Sequence, residues 1–222
     1  MSPVRSPRFV PAMAGVLFAL TMVAPRAHAQ DLALSAVLAP VSGCALGNSE
    51  SVSMRITNFG PSLPAGTSIL VLYSLDGGAA VNDVVLLGNT LPSNASVVHT
   101  FAVAADLSTP GSHVFTLAIN PAGDLNPGNN TLTGYTVLHT APTVAGTLAG
   151  PASGASGTLT LSGTLGTVVQ WEESPDLLRW FKLANSSSTQ AFADLRATTH
   201  FRVRVANAPC TAALSNVLTI VP

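Results

Sequence analysis

Histidines, cysteines and grouped acidic residues are the side chains of this 222-residue sequence that could do chemistry. Beyond the N-terminal 29 residues, four histidines occur singly, at His99, His113, His139 and His200. A serine or cysteine nucleophile needs a histidine and an acid in a defined local motif, and no such motif is present. Because no histidine has an i, i+4 partner or a Cys-x-x-Cys companion, a zinc site is not indicated. We interpret each histidine as structural or surface-exposed.

Three acidic residues, Glu172, Glu173 and Asp176, lie close together and could supply the acid and base of a glycosidase. Adjacent residues of a strand point to opposite faces, so Glu172 and Glu173 cannot share one cleft. We therefore predict no catalytic residue, no cofactor, no metal site and no enzyme activity. An extracellular enzyme of an unfamiliar kind is the catalytic alternative.

Side chains with oxygen donors are concentrated near the middle of the chain, at Asn120, Asp124, Asn126, Asn129 and Asn130. Carboxylate and amide oxygens are ligands that Ca²⁺ prefers, so this loop could hold the ion weakly. Only Asp124 is charged, however, and the neighbouring Pro and Gly residues favour Asx turns that shape a hairpin. We expect the turns, and weak calcium binding is the alternative.

The two tryptophans have different predicted roles. Trp171 lies on an early strand of the second half of the chain, where an immunoglobulin-like domain places its central core residue. Trp180 could join the core or form an aromatic platform for a sugar ring. Trp180 is therefore our candidate ligand platform.

Cys44 and Cys210 are the only cysteines, and they fall in different halves of the chain. An exported compartment permits a disulfide between them. Such a bridge would close a very long loop and stabilise the fold by about 5 kcal/mol through loop-closure entropy. We favour the other interpretation, in which both cysteines are free buried thiols.

The N-terminus has the features of a signal peptide. Arg5 and Arg8 form a positive region, an apolar stretch runs from Val10 to Ala24, and a small-x-small sequence ends at Ala29. A transmembrane anchor needs about 20 apolar residues, and prolines together with Arg26 shorten this stretch. We expect cleavage after Ala29 and no membrane span in the mature chain. The predicted location is extracellular or cell-surface, with the periplasm as an alternative.

Composition favours a folded, β-rich protein that does not bind nucleic acid. Apolar residues make up 47% of the chain and charged residues only 9%, so a core can form. Lys182 is the only lysine and the net charge is −1, so no basic field is available to hold phosphates. The charge is uneven, because residues 31–138 carry six acids and one base whereas residues 139–222 carry four acids and five bases.

Short runs of apolar and β-branched residues, separated by turn clusters, predict an all-β protein of two tandem sandwiches. In Ser51–Asn58 apolar and polar residues alternate, which is the period of a strand buried on one side. Ser68–Leu75 is a denser run, and Asp76-Gly77-Gly78 after it predicts a hairpin turn with positive φ angles. We expect about seven strands in residues 31–138, a joint at His139–Pro142, and a second sandwich in residues 142–222.

In the second half, strands are predicted at Gly157–Gly163, Val168–Glu172, Trp180–Leu183, His200–Asn207 and Leu214–Val221. Apolar residues at 201, 203 and 205 alternate with Arg202 and Arg204. We therefore expect both arginines on a solvated face.

Two segments resemble bacterial families. The runs Pro40–Cys44, Asn58–Gly60, Asp106–Gly111 and Gly123–Asn130 resemble the cell-adhesion-related domain of bacteria, CARDB. This resemblance covers nearly all of residues 31–138 and implies a fibronectin- or immunoglobulin-like sandwich of a secreted or surface protein. The runs Gln170–Asp176 and Phe201–Val203, with Trp180, resemble immunoglobulin-like repeats of bacterial surface proteins. Those repeats usually have a cysteine where this chain has Pro151, so their intradomain bridge is missing.

These observations predict a secreted or cell-surface structural and adhesion module without catalytic activity. Its two sandwiches would present surfaces to an extracellular protein or polysaccharide whose identity the sequence does not define. A carbohydrate-binding accessory module, prompted by Trp180 and the polar loops, is the alternative.

Overall fold

The computed structural model describes residues 30–222, which are almost entirely β-strands and loops. The predicted signal peptide, with its cleavage site at Ala29, lies outside the described residues. Within residues 30–222 the one helical element is a single 3₁₀ turn, Pro127–Asn129, and no helix is long and apolar enough to cross a membrane. The all-β fold class is confirmed.

The first sandwich contains eight strands in two facing sheets. They are β1 (Leu32–Ala39), β2 (Gly43–Cys44), β3 (Ser53–Asn58), β4 (Ser68–Leu75), β5 (Val81–Leu86), β6 (Ser96–Thr100), β7 (Gly111–Asn120) and β8 (Thr131–Thr140). One sheet has the order β1-β3-β6 and the other the order β2-β8-β7-β4-β5. Neighbouring strands are antiparallel except β2 and β8, which are parallel.

Alternation in the sequence decides which side chains enter the first core. In β3, Met54 and Ile56 are fully buried whereas Arg55 between them is exposed. The predicted hairpin turn after β4 is confirmed, since Asp76 and Gly77 have φ angles of +51° and +71°. The inward residues of the two sheets form one continuous core.

The second sandwich has eight shorter strands and a separate core. They are β9 (Thr147–Ala149), β10 (Gly157–Ser162), β11 (Thr167–Ser174), β12 (Phe181–Leu183), β13 (Thr189–Phe192), β14 (Thr199–Ala206), β15 (Ala213–Leu214) and β16 (Leu218–Ile220). One sheet has the order β9-β10-β13, and the other β12-β11-β14-β15 with β16 also paired to β14. Trp171 is fully buried at the centre of this core, as predicted, and its Nε1 donates to the Ser187 carbonyl.

The structure differs from the prediction where strands are very short. The predicted strand Leu214–Val221 is two strands, β15 and β16, because two polar residues between them use their side chains for other bonds. Asn216 accepts from the N–H of Leu148 at 2.7 Å and donates to its carbonyl at 2.9 Å. Ser215 accepts from the N–H of Val203 at 2.9 Å. The two-residue strand β2 has too few residues to show a period, and the sequence did not predict it.

Asn58, at the end of β3, is a buried polar residue that joins three segments of the first sandwich. Its Nδ2 donates to the carbonyls of Pro61, Leu91 and Pro92 at 2.8, 3.1 and 3.2 Å. Its Oδ1 accepts from the N–H of Gly60 at 3.0 Å. The side chain is fully satisfied only with the amide nitrogen facing the three carbonyls.

We predict that Asn58→Asp destabilises the protein by about 3 kcal/mol or more, because a carboxylate would face three carbonyl oxygens in a site without water access. Urea unfolding followed by circular dichroism measures the change. Asn82→Asp, at an exposed position of β5, is the matched control and should change stability by less than about 0.5 kcal/mol. Equal effects of the two substitutions would contradict this role of Asn58.

Candidate functional site

A disulfide links the two sandwiches. Cys44 in β2 is bonded to Cys210 in the loop between β14 and β15, with the two Cα atoms 5.0 Å apart and the two residues separated by 166 in sequence. The interpretation of both cysteines as free thiols is therefore wrong. The physical reason is the parallel pairing of β2 with the end of β8, which sets Cys44 beside Thr140, where the chain passes into the second sandwich.

Hydrogen bonds reinforce the same junction. The N–H of Ala45 donates to the carbonyl of Thr140 at 3.1 Å. From the second sandwich, Asn207 donates through Nδ2 to the carbonyl of Ala141 at 2.8 Å and through its N–H to Oγ1 of Thr143 at 3.1 Å. The predicted joint is thus short and hydrogen-bonded on both sides. We call this region, with the disulfide, the junction.

His139 is buried beside the junction. It pairs with Gly43 of β2 and Gly111 of β7, and only 4% of its surface is exposed. Neither ring nitrogen has a hydrogen-bond partner within residues 30–222.

The outer face of the second sandwich carries a cluster of charged residues around one acid. Across the sheet, Glu172 of β11 lies opposite Lys182 of β12 and Arg202 of β14, and Gln170 lies opposite Arg204. We call these five residues, together with Trp180, the basic face. Three bases surround a single acid, so the face has a net positive charge.

Glu172 organises the basic face although it is almost completely buried, with 8% of its side chain exposed. Its Oε2 accepts from Nε of Arg202 at 2.6 Å, and its Oε1 accepts from Nε2 of Gln170 at 3.0 Å. Nε of Arg204 lies 4.0 Å from the same Oε1. Both arginines are on the outer face, as predicted, but Arg202 is held by Glu172 and is not freely solvated.

Trp180 packs against this cluster. The guanidinium of Arg202 lies 3.8 Å from the centre of the Trp180 ring, which is a cation–π contact. Trp180 is half-buried and immediately precedes β12. One side of the ring is therefore occupied by Arg202, and a sugar could stack only on the other side.

The three grouped acids do not form a catalytic pair. Glu172 faces Arg202 on the outer surface, whereas Glu173 lies opposite Phe201, a core residue. The carboxylate of Asp176 closes the hairpin turn, and the backbone N–H of Arg179, at 2.8 Å, is the main cause of its lowered pKa. Within residues 30–222 no three acidic, histidine or cysteine side chains come close enough to hold a metal ion.

The hairpin that Asp176 closes exposes two leucines. Leu177 has a φ of +64°, a conformation rare for a bulky side chain, and Leu178 is 84% exposed. Oγ of Ser174 accepts from the N–H of Leu177 at 2.9 Å and fixes this turn. The turn is well bonded and presents apolar surface to solvent.

A groove of about 410 Å³ adjoins the basic face and shares two residues with it, Gln170 and Lys182. Its other lining residues are Val169, Leu183, Ala184, Asn185 and Ser186. Polar and apolar side chains thus line the groove together.

The oxygen-rich loop of the first sandwich adopts the predicted Asx turn. Oδ1 of Asp124 accepts from the N–H of Asn126 at 2.8 Å, and Oδ2 accepts from the N–H of Leu32 at 3.0 Å. Asn129 donates through Nδ2 to Oδ1 of Asp31 at 3.0 Å. The carboxylate of Asp124, the one charged group of this loop, is therefore bonded to backbone N–H groups.

His113 lies between two acceptors, which the sequence did not predict because its partners are distant in the chain. Nδ1 is 2.8 Å from Oδ2 of Asp76, and Nε2 is 2.8 Å from the carbonyl of Thr109. Both ring nitrogens can donate only in the protonated imidazole. The Asp76 bond, followed by the Thr109 bond, raises the pKa of His113. The N–H of Val114, followed by His113, lowers the pKa of Asp76.

The comparisons with known proteins found one family model and several solved structures that resemble this chain. A family model described as "Domain of unknown function (DUF8696)" matches residues 140–221. No curated protein matches the sequence. Among solved structures, the CARDB domain of a Pyrococcus furiosus protein is 18% identical, with a TM-score of 0.37, and the match covers 50% of this chain and 96% of that one.

Two multidomain structures match over most of the chain. The FN1–FN3 domains of chicken CNTN1 are 12% identical with a TM-score of 0.33, and the match covers 87% of this chain and 68% of that one. A tetra-tandem repeat in the extending region of a large adhesion protein is 13% identical with a TM-score of 0.31, and the match covers 86% of this chain and 48% of that one. The neighbours thus include CARDB and adhesion-protein domains.

We predict that the unfolded, non-reduced protein contains no free thiol, which a thiol titration in denaturant measures. The Cys44→Ser, Cys210→Ser double variant should lose up to about 5 kcal/mol of stability, because the bridge no longer restricts the unfolded chain. Reduction of the wild-type protein should lower its unfolding temperature, whereas the double variant should not respond. Two free thiols in the untreated protein would contradict the bridge.

We predict that His113→Gln costs about 1 kcal/mol at about pH 5 and less at about pH 9. A raised folded-state pKa stabilises the native state below about pH 6.5, and this contribution is lost as the pH rises through the folded-state value. The lowered pKa of Asp76 acts oppositely, so its contribution is lost in acid, below about pH 3.8. Urea unfolding at both pH values measures the difference, with His200→Gln as control.

Proposed function

We propose that this protein is an exported structural and adhesion module without catalytic activity. Its CARDB-like sandwich comprises residues 31–138, and its immunoglobulin-like sandwich comprises residues 142–222. The two sandwiches act as one unit that presents outer surfaces to an extracellular protein or polysaccharide. The observation that carries this proposal is the junction, where the Cys44–Cys210 disulfide joins the two sandwiches.

The disulfide supports both parts of this proposal, export and a structural role. Disulfides persist in oxidising compartments and are rare in the cytosol, so the bridge agrees with the predicted signal peptide and cleavage after Ala29. It also fixes Cys44 of the first sandwich to the Cys210 loop of the second, next to the hydrogen bonds of Ala45 and Asn207. A spacer or adhesion module needs such a junction, because a flexible joint would let its binding surfaces reorient.

A carbohydrate-binding accessory module is the second candidate function. Trp180, with one side on Arg202, and the mixed polar and apolar groove beside it favour this alternative. The two candidate functions differ in the partner they require, because an accessory module serves a catalytic partner whereas an adhesion module acts alone.

We predict that the exported protein, purified after secretion and immobilised on beads, retains a component of the envelope or secreted fraction of its own cells. Small-angle X-ray scattering should show one narrow distribution of maximum dimensions for the oxidised protein. The Cys44→Ser, Cys210→Ser variant should show a broader distribution, because only hydrogen bonds remain at its junction. Heat-unfolded protein on the same beads is the control for retention.

Two outcomes would contradict the proposal. One is the absence of retention from every fraction, and the other is hydrolysis of polysaccharide or protein substrates by the purified protein. If the oxidised protein and the double variant had equal distributions of maximum dimensions, the disulfide would not be the cause of the rigidity.

A further inference from the structure

We propose that the basic face of the second sandwich binds a polysaccharide that carries carboxylate groups. This inference rests on the proposed function, because it names the ligand class that an exported presenting module would hold. It concerns the outer surface formed by β11, β12 and β14 and the groove beside it.

Positive charge is concentrated on this surface. Three of the six basic residues in the described part of the chain, Lys182, Arg202 and Arg204, surround Glu172. The first sandwich, in contrast, has six acidic residues and one arginine. An anionic polymer near this protein would therefore be attracted to the basic face and repelled by the first sandwich.

The basic face also has donors that its own acid does not use. Arg202 donates to Glu172 through Nε alone, and the terminal nitrogens of its guanidinium have no hydrogen bond within residues 30–222. The guanidinium of Arg204 and the ammonium of Lys182 likewise form none with the described residues, and 42% of the Arg204 side chain is exposed. A guanidinium presents parallel N–H groups that match a carboxylate.

The donors of Arg202 are held in place before any ligand arrives. Arg202 is fixed on one side by Glu172 at 2.6 Å and on the other by the Trp180 ring at 3.8 Å. A side chain that is already ordered loses little conformational entropy on binding, so its hydrogen bonds contribute more to affinity.

The groove favours a polysaccharide over an acidic peptide. A sugar ring has hydroxyl groups around its edge and apolar C–H groups on its faces. Gln170 and Ser186 can bond hydroxyl groups, while Val169 and Leu183 offer apolar contact in the same groove. Lys182 lies in both the groove and the basic face, so a sugar in the groove would place its carboxylate beside this ammonium.

The test compares binding of the exported, full-length mature protein to immobilised polygalacturonate, neutral dextran and polyglutamate. Wild-type protein should bind polygalacturonate, and a rise from about 0.05 M to about 0.5 M NaCl should weaken this binding. The double variant Lys182→Ala, Arg204→Ala should bind about tenfold more weakly or worse, because it lacks two charge-assisted hydrogen bonds. Arg55→Ala, Arg196→Ala, which removes two exposed arginines outside the basic face, is the charge-matched control and should stay within about twofold of the wild type.

The side chains of Lys182 and Arg204 make no hydrogen bond to the described residues, so the double variant should keep the unfolding temperature of the wild type. No binding to polygalacturonate, or binding that the double variant retains, would overturn the proposal. Equal binding to dextran would overturn the role of charge, and binding to polyglutamate alone would assign the face to an acidic protein. If the wild type does not bind polygalacturonate but the double variant still retains the envelope component, the proposed ligand class is wrong and the proposal of an adhesion module stands.

Discussion

Burial of alternate side chains between two facing sheets is the constraint on which the rest of this structure depends. A strand that is buried on one side must place its remaining side chains on the outer surface of the sheet. In β14 this rule sends Phe201 and Val203 into the core and Arg202 and Arg204 to the outside. The basic face exists because the neighbouring strand β11 obeys the same rule and brings Glu172 opposite Arg202.

The junction combines three interactions, none of which alone would orient two sandwiches. Parallel pairing of β2 with β8 sets the position of Cys44, the disulfide fixes it to Cys210, and Asn207 bonds the connecting segment from the other side. Because these contacts involve both sandwiches and the segment between them, the joint is part of the folded structure. The first sandwich has more acids than bases and the second has more bases than acids. The junction therefore presents an acidic and a basic outer surface together.

Much of the fold could be predicted from the sequence because it follows from local patterns. Ser68–Leu75 was predicted with the bounds that β4 has, and the turn at Asp76-Gly77 follows from residues that accept positive φ. The site could be predicted only in part. Trp180 was recognised as a candidate, but the carboxylate of Glu172 and its two arginines meet through strand pairing, which alternation does not specify. The disulfide could not be predicted either, because β2, the strand that positions Cys44, has only two residues and shows no alternation.

The position of the disulfide has a mechanical consequence for a protein that is pulled. Tension applied outside the two cysteines passes directly from Cys44 to Cys210 through the sulfur–sulfur bond, so the segment between these residues, which are separated by 166 in sequence, carries no force. In the described part of the chain, β1 at one side and β15 and β16 at the other lie in the stretched path. The chain can therefore lengthen by no more than these short flanking segments allow, because the disulfide keeps β3 to β14 out of the stretched path.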